Sequence, residues 1–572
     1  MRISCKTTSG VVPGDGDRRG RLACEGGTRI RAGRALLIGG EMKRIRIAAL
    51  VAIGLWSLPV QGSAQTFPTN DPIIRKIWEE GMDRSKVYDL AQVLTDSIGP
   101  RLTGSPGMNA AHDWAVKMFR SWGIEARNEQ YGTWRGWRRG ITHIDLIAPR
   151  VRTLEGTMLA WSPGTNGPVE APVVVFPDVA SPAEFEAWLP EARGKFVAIS
   201  FAEPTCRPDD NWREFSPPGL FERMQRERQA AREAWNARLS RAGVDARTLP
   251  GRLEAAGAVG ILTSLWSQGW GVNKIFQART ERAVTLDLSC EDYGLVFRLA
   301  ERGQGPVLRV NAEAEFLGEV PVFNTIAEIR GTEKPDEYVL LSAHFDSWDG
   351  ASGATDNATG TVTMMEAMRI LKAVYPNPKR TILVGLWGGE EQGLNGSRAF
   401  AEDHPEVVQG LQALFNQDNG TGRVTTISMQ GLVDAGAHFG RWFAQIPEEI
   451  TRHIDLVVPG FPGSGGSDYA SFVCYGAPAF SLSSLHWAYG TYTWHTNRDT
   501  FDKIVIDEVK NNAVLTAMLA YLASEDPQKI SRTQREFVAS ATRQAAAGPG
   551  PRMPTSWPQC QKPARSSAES TR

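Results

Sequence analysis

Between residues 338 and 485 short, largely apolar runs alternate with helical stretches, and the first three runs stop on an imidazole or a carboxylate. Tyr338–Ala343 leads into His344-Phe345-Asp346, Thr381–Trp387 into Gly388-Gly389-Glu390-Glu391, and Leu411–Phe415 into Asn416-Gln417-Asp418. Ala479–Leu485 is a fourth such run. Thr359–Val374 reads as a helix ended by Pro376, and Glu508–Ser524 as a helix capped by Asp507. Strands that alternate with helices give an α/β fold, a mostly parallel sheet with helices on both faces. In such sheets ligands bind beyond the carboxyl ends of the strands. The chemistry is therefore expected where these side chains stand, together with Asp356 in the loop after the first strand and His495 in a later loop.

Neutral imidazole with carboxylate suits zinc and its neighbours. Two histidines, three carboxylates and a further Glu exceed what one tetrahedral zinc needs. They fit two metals ~3.5–4 Å apart sharing a carboxylate and a water. In His344-x-Asp346 the carboxylate is placed to orient the ligating imidazole from behind. Adjacent Glu390 and Glu391 diverge, so one binds metal while the other holds a water. Singly each motif is common in folded proteins; in order at successive strand ends they define one site. His112, His143, His404, His438, His453 and His486 lack such company and read as structural.

The motifs His344-Phe345-Asp346-Ser347, Gly353-Ala354-Thr355-Asp356-Asn357-Ala358-Thr359-Gly360, Gly389-Glu390-Glu391-Gln392-Gly393 and His495-Thr496-x-x-Asp499-Thr500 resemble the co-catalytic zinc exopeptidase family. That family includes secreted bacterial aminopeptidases, plasma glutamate carboxypeptidase and transferrin-receptor-like proteins. Gly463–Asp468 with Tyr469–Pro478 resembles its Gly-x-Ser-Asp…Gly-x-Pro segment, with Tyr469 where many members have His. The resemblance spans roughly 73–525 and implies two Zn2+: His344 and Asp418 on one, Glu391 and His495 on the other, and Asp356 bridging. It makes Glu390 the general base, with Asp346 behind His344. Asp499 and Thr500 brace the loop. Tyr492 is either a donor to the oxyanion or a packing aromatic. Ser467 and Asp468 either line the substrate pocket or cap the helix that follows.

Pattern, composition and resemblance together set the expected organisation: 1–64 a leader, 65–164 the N-terminal part of the catalytic domain, 165–315 a β-rich α+β protease-associated insert, 316–528 the catalytic domain with the metal site, and 529–572, polar and rich in Ala, Gly and Pro, a disordered tail. The leader reading rests on basic Met42–Arg46, apolar Ile47–Val60 and small Gly62-Ser63-Ala64. It implies a start at Met42, cleavage after Ala64 and export to the periplasm or beyond. Of the six cysteines, Cys206, Cys290, Cys474 and Cys560 remain after that cleavage. Cys206 and Cys290 share one expected domain and could pair; Cys474 lies in an apolar run and reads as core. Lys+Arg at 63 against Asp+Glu at 64 removes the electrostatic case for nucleic acid or a polybasic membrane surface. No apolar run reaches the ~20 residues of a membrane span, so stable membrane insertion of the mature chain is not expected.

Peptides are the expected substrates, and release of amino-terminal residues is the leading expectation. The alternative is a dipeptidase or carboxypeptidase of the plasma glutamate carboxypeptidase type, toward which His344-Phe345-Asp346-Ser347-Trp348-Asp349 leans. Glutaminyl cyclase shares the fold but uses one zinc and lacks the insert. A receptor-like binding module would have lost metal ligands, and here all five positions are intact.

Overall fold

The computed structural model describes residues 67–537 and 554–570. The expected leader lies outside the described residues, and the described residues fall in one compact unit. Its centre is a set of parallel strands, Leu411–Asn416, Lys334–His344 and Arg380–Trp387, flanked by Ala479–Ser484. Every residue of Arg380–Trp387 and of Leu411–Asn416 is buried. That is why these segments are mostly apolar rather than alternating, with Arg380, Thr381, Gln412 and Asn416 as the buried polar exceptions. In register, His344 pairs with Trp387, and Ser342 with Asn416, so the carboxyl ends finish level. A buried polar relay holds them there. Trp387 Nε1 donates to Ser342 Oγ at 2.8 Å, Ser342 Oγ to Asn416 Oδ1 at 2.6 Å, and Asn416 Nδ2 to Ser467 Oγ at 2.8 Å.

Helices Thr359–Val374 and Ile506–Glu525 pack together against one face of this sheet. Both are buried over most of their circumference, with Met364, Met368, Leu515 and Leu519 fully enclosed. Asp507 does not cap the second helix. The N-cap is Val505, and Asp507 lies in the first turn beside Lys510 at 3.5 Å. There its charge still complements the helix dipole.

Strands Glu125–Ala148 and Val307–Ile329 form a long antiparallel ribbon. One end of Val307–Ile329 pairs with Arg380–Trp387 and the other with Val169–Val175, so a single strand crosses the boundary expected at 315/316. The segment between the ribbon strands carries its own parallel strands, Val169–Val175, Phe196–Ala198, Gly260–Thr263 and Val284–Leu288. Helices Leu220–Arg241 and Cys290–Glu301 accompany them. Cys206 and Cys290 form a disulfide within this segment.

Residues 554–570 correct the expectation of a disordered tail. Cys474, read as core, forms a disulfide with Cys560. Trp557 Nε1 donates to Val473 O at 2.8 Å, and Arg565 binds Asp403 and Glu402. The polar composition of this stretch hid a covalent anchor and one half-buried aromatic contact. Among the described residues no helix is long and apolar enough to cross a membrane.

Candidate metal centre

The five expected ligand positions converge. His344 Nε2 lies 3.1 Å from Asp418 Oδ1 and 3.3 Å from Asp356 Oδ1. His495 Nε2 lies 2.8 Å from Glu391 Oε2 and 3.3 Å from Asp356 Oδ2. Asp356 therefore offers one oxygen to each of two separate clusters, His344–Asp356–Asp418 and Asp356–Glu391–His495.

Each side chain is held by its own scaffold. Asp356 sits in a loop between the first strand and helix Thr359–Val374, and the Asp356–Asn357 peptide is cis. Asp499 accepts from the main-chain N–H of Thr355 at 2.9 and 3.1 Å and of Asp356 at 3.0 Å. Asn357 Nδ2 donates to Gln417 O at 2.9 Å, tying this loop to the strand end that carries Asp418. Gly360 allows that approach, since a Cβ there would lie 2.4 Å from Gln417 O. Arg101, fully buried, donates to the carbonyls of Phe345, Gly99, Ser352 and Gly353 and so fastens the same loop from below. The bracing expected of Asp499 is thus seen; Arg101 had no signal beyond its place in a Pro-Gly-rich loop.

Asp346 acts on more than His344. Its main-chain carbonyl accepts from His344 Nδ1 at 3.0 Å, while its carboxylate stays 3.8 Å from that nitrogen. The carboxylate instead accepts the N–H groups of Glu390 at 3.1 Å and Glu391 at 3.2 Å. One buried anion thus fixes the turn that presents both glutamates. His495 has a left-handed backbone (φ 58°) and is clamped from the inter-ribbon segment. Ile275 N–H donates to His495 O at 2.7 Å, Lys274 Nζ donates to Gly490 O and Trp494 O at 3.0 Å, and the Phe276 ring stands 5.2 Å from the imidazole. Burial lowers His495 to about 4, leaving a neutral imidazole suited to ligation.

Tyr492 is not at the centre. Its hydroxyl points to Asp210, 3.5 Å away. Tyr489, three residues earlier, faces Asp356 instead; burial and the charges of Asp356, Asp418 and Glu391 push its phenol well above 10. Ser467 braces Asn416. Asp468 does not cap helix Ala470–Val473, whose N-cap is Tyr469. Its carboxylate is fully buried, and burial, with Asp418 and Asp346 nearby, raises it to about 7 against the opposing effects of His344 and the Ser397 hydroxyl.

The donor set fits cations. Asp356 Oδ2 and Glu391 Oε1 are buried without a hydrogen-bond donor. Burial and surrounding carboxylates push Glu390 and Glu391 well above 4.5, a direction that bound cations reverse. A cavity of about 470 Å³ adjoins Glu391 and Gln392, walled by Trp348 and, from the inter-ribbon segment, by Phe276 and Arg279.

Residues 324–520 match the Peptidase family M28. Mouse carboxypeptidase Q is 26% identical over 464 residues, covering 79% of this chain and 88% of the relative. The human protein of that name is 26% identical over 456 residues, with the same shares covered. The peptidase M28 precursor of Shewanella amazonensis is 24% identical, with a TM-score of 0.58 over 80% of this chain and 98% of its own, and shares the fold. These likenesses support a member of the co-catalytic zinc exopeptidases. The protein is a zinc-dependent metallo-exopeptidase with a paired-ion centre.

Proposed function

We propose that the protein is an exported exopeptidase that cleaves short peptides through the residues gathered around Asp356, and that it requires the free carboxyl end of its substrate. Asp356 carries the reading: its two oxygens face two separate His–carboxylate pairs. His344 and Asp418 would hold one zinc and Glu391 and His495 the other. Bound zinc supplies an acidified water and a polarised carbonyl. Glu390 takes the proton and returns it to the departing amine. Tyr489 stands where a donor to the developing oxyanion is useful, a role for which the sequence offers Tyr492 as a candidate beside its reading as a packing aromatic. The protease-associated insert expected at 165–315 would lie largely in the segment between the ribbon strands, closing one side of the cavity.

The sequence leans toward amino-terminal release. Two observations favour the carboxyl-end alternative. The relatives that align over most of both chains carry the name carboxypeptidase Q, and Trp348 in the motif that leans the same way lines the cavity beside Glu391. Two disulfides are consistent with an oxidising compartment. The test is a panel of free, N-acetylated and C-amidated dipeptides with the zinc-loaded enzyme. Preference for free over amidated dipeptides by at least ~10-fold is expected. Equal turnover of amides with refusal of N-acetylated substrates would establish an aminopeptidase instead.

A further inference from the structure

The cavity beside Glu391 has an uncompensated cation in its wall. Arg279 extends from the segment between the ribbon strands and lines the same space as Glu391, Gln392 and Trp348. Among the described residues no carboxylate lies within ion-pair distance of it. Burial and the nearby Arg247 lower its pKa; Arg279 in turn acts with burial to lower Arg135, against the charges of Glu281 and Glu319. Its partner is neutral: the Gln277 amide oxygen, turned toward it, accepts from Nη1 at 3.1 Å and Nη2 at 2.9 Å. A guanidinium that is oriented by an amide keeps its full charge and still has N–H groups to offer. Arg135 lies over the Trp161 ring at 4.6 Å and also lacks an ion-pair partner among the described residues.

Like charges raise one another's energy, and Arg279 lines the cavity without an ion pair of its own among the described residues. A planar anion relieves the repulsion and matches the fork of Arg279. The cavity, about 470 Å³, is of a size that holds a small ligand. Its wall next to Glu391 is apolar and aromatic, with Trp348 and Phe276.

We propose that Arg279, assisted by the field of Arg135 and Arg247, binds the free carboxylate of the substrate and so fixes which end of a peptide enters. The assignment rests on the exopeptidase reading above and names the residue behind its polarity. It also gives the inter-ribbon segment a part in substrate choice.

The experiment compares kcat/KM for a free dipeptide and its C-terminal amide in wild type, Arg279→Ala and Arg279→Lys. Arg279 is exposed, so its replacement leaves the fold intact. Arg279→Ala is expected to lose roughly 10- to 100-fold on the free dipeptide, mainly through KM, and little on the amide. Arg279→Lys should recover part of the loss. Calorimetric binding of the free dipeptide to Glu390→Gln, with and without Arg279→Ala, reads the same contact without turnover. An unchanged free-to-amide ratio together with unchanged binding would overturn the assignment while leaving the exopeptidase reading intact. A wild type that cleaves none of the panel would remove the exopeptidase reading; the binding comparison would still decide whether Arg279 holds a carboxylate.

Discussion

Asp499→Asn tests whether the Asp356 loop is preset by the protein. The Asp499 carboxylate is 2% exposed and receives the N–H groups of Thr355 and Asp356 at 2.9–3.1 Å. Asparagine keeps one acceptor and turns an NH2 group toward a main-chain N–H. Hydrogen bonds to a charged acceptor contribute roughly 1.5–3 kcal/mol each, and neutral ones about 0.5–1.5. Losing one charged bond and weakening the other costs about 2–4 kcal/mol on that scale. Burial raises Asp499 to about 7 despite those bonds, so part of the gain is already offset by desolvation. The lower figure, about 2 kcal/mol, is therefore the better one, and it corresponds to ~30-fold. Because the strain falls on the Asp356 backbone, it should appear as ~30-fold weaker zinc binding, within the range for residues that orient metal ligands. Zinc competition against a chromogenic chelator measures it, with exposed Asp502→Asn as control. Zinc affinity equal to wild type would refute the argument that Asp499 presets the loop.

Tyr489→Phe should lower kcat by roughly 10- to 100-fold while Tyr492→Phe stays near wild type; steady-state kinetics on one dipeptide separates them, and equal effects would return the role to Tyr492. His404 is raised above 6.5 by its hydrogen bond to Glu129, 2.6 Å from Nε2, and by Glu406, against burial. A raised folded value means that the pair stabilises fully below about pH 6.5 and loses that contribution as pH climbs through the folded pKa. The difference in melting temperature between wild type and His404→Gln should therefore shrink on the alkaline side; a gap that widens there would contradict the sign. Phe415→Ala, in the buried centre of the sheet, should cost about 3–5 kcal/mol in denaturant unfolding.

The sheet and the convergence of five His and carboxylate side chains were legible because buried parallel strands are mostly apolar, and their ends must carry whatever chemistry the loops hold. His344, Asp418 and the Glu390-Glu391 pair follow as candidates from that rule alone, and the choice of Glu391 as ligand comes from the family resemblance. What escaped the sequence depends on contacts distant along the chain. Tyr489 rather than Tyr492 faces Asp356 because Trp487, Ala488 and His495 take left-handed backbones and residues 274–276 clamp the loop. Cys474 looked like core because its flanks are apolar, and its partner lies 86 residues away. Arg101 and Arg279 belong to no motif; burial against four carbonyls and the lack of a counter-charge give them meaning, and neither is written in local sequence.

The paired-ion account stands most directly on the zinc content of the purified protein, measured by mass spectrometry in wild type, Glu390→Gln and Asp356→Ala. Two zinc ions per chain are expected in wild type and in Glu390→Gln, with turnover lost only in the latter, and a marked loss of zinc in Asp356→Ala. One zinc per chain in the active wild type, or undiminished zinc in Asp356→Ala, would contradict the bridging role on which the account depends.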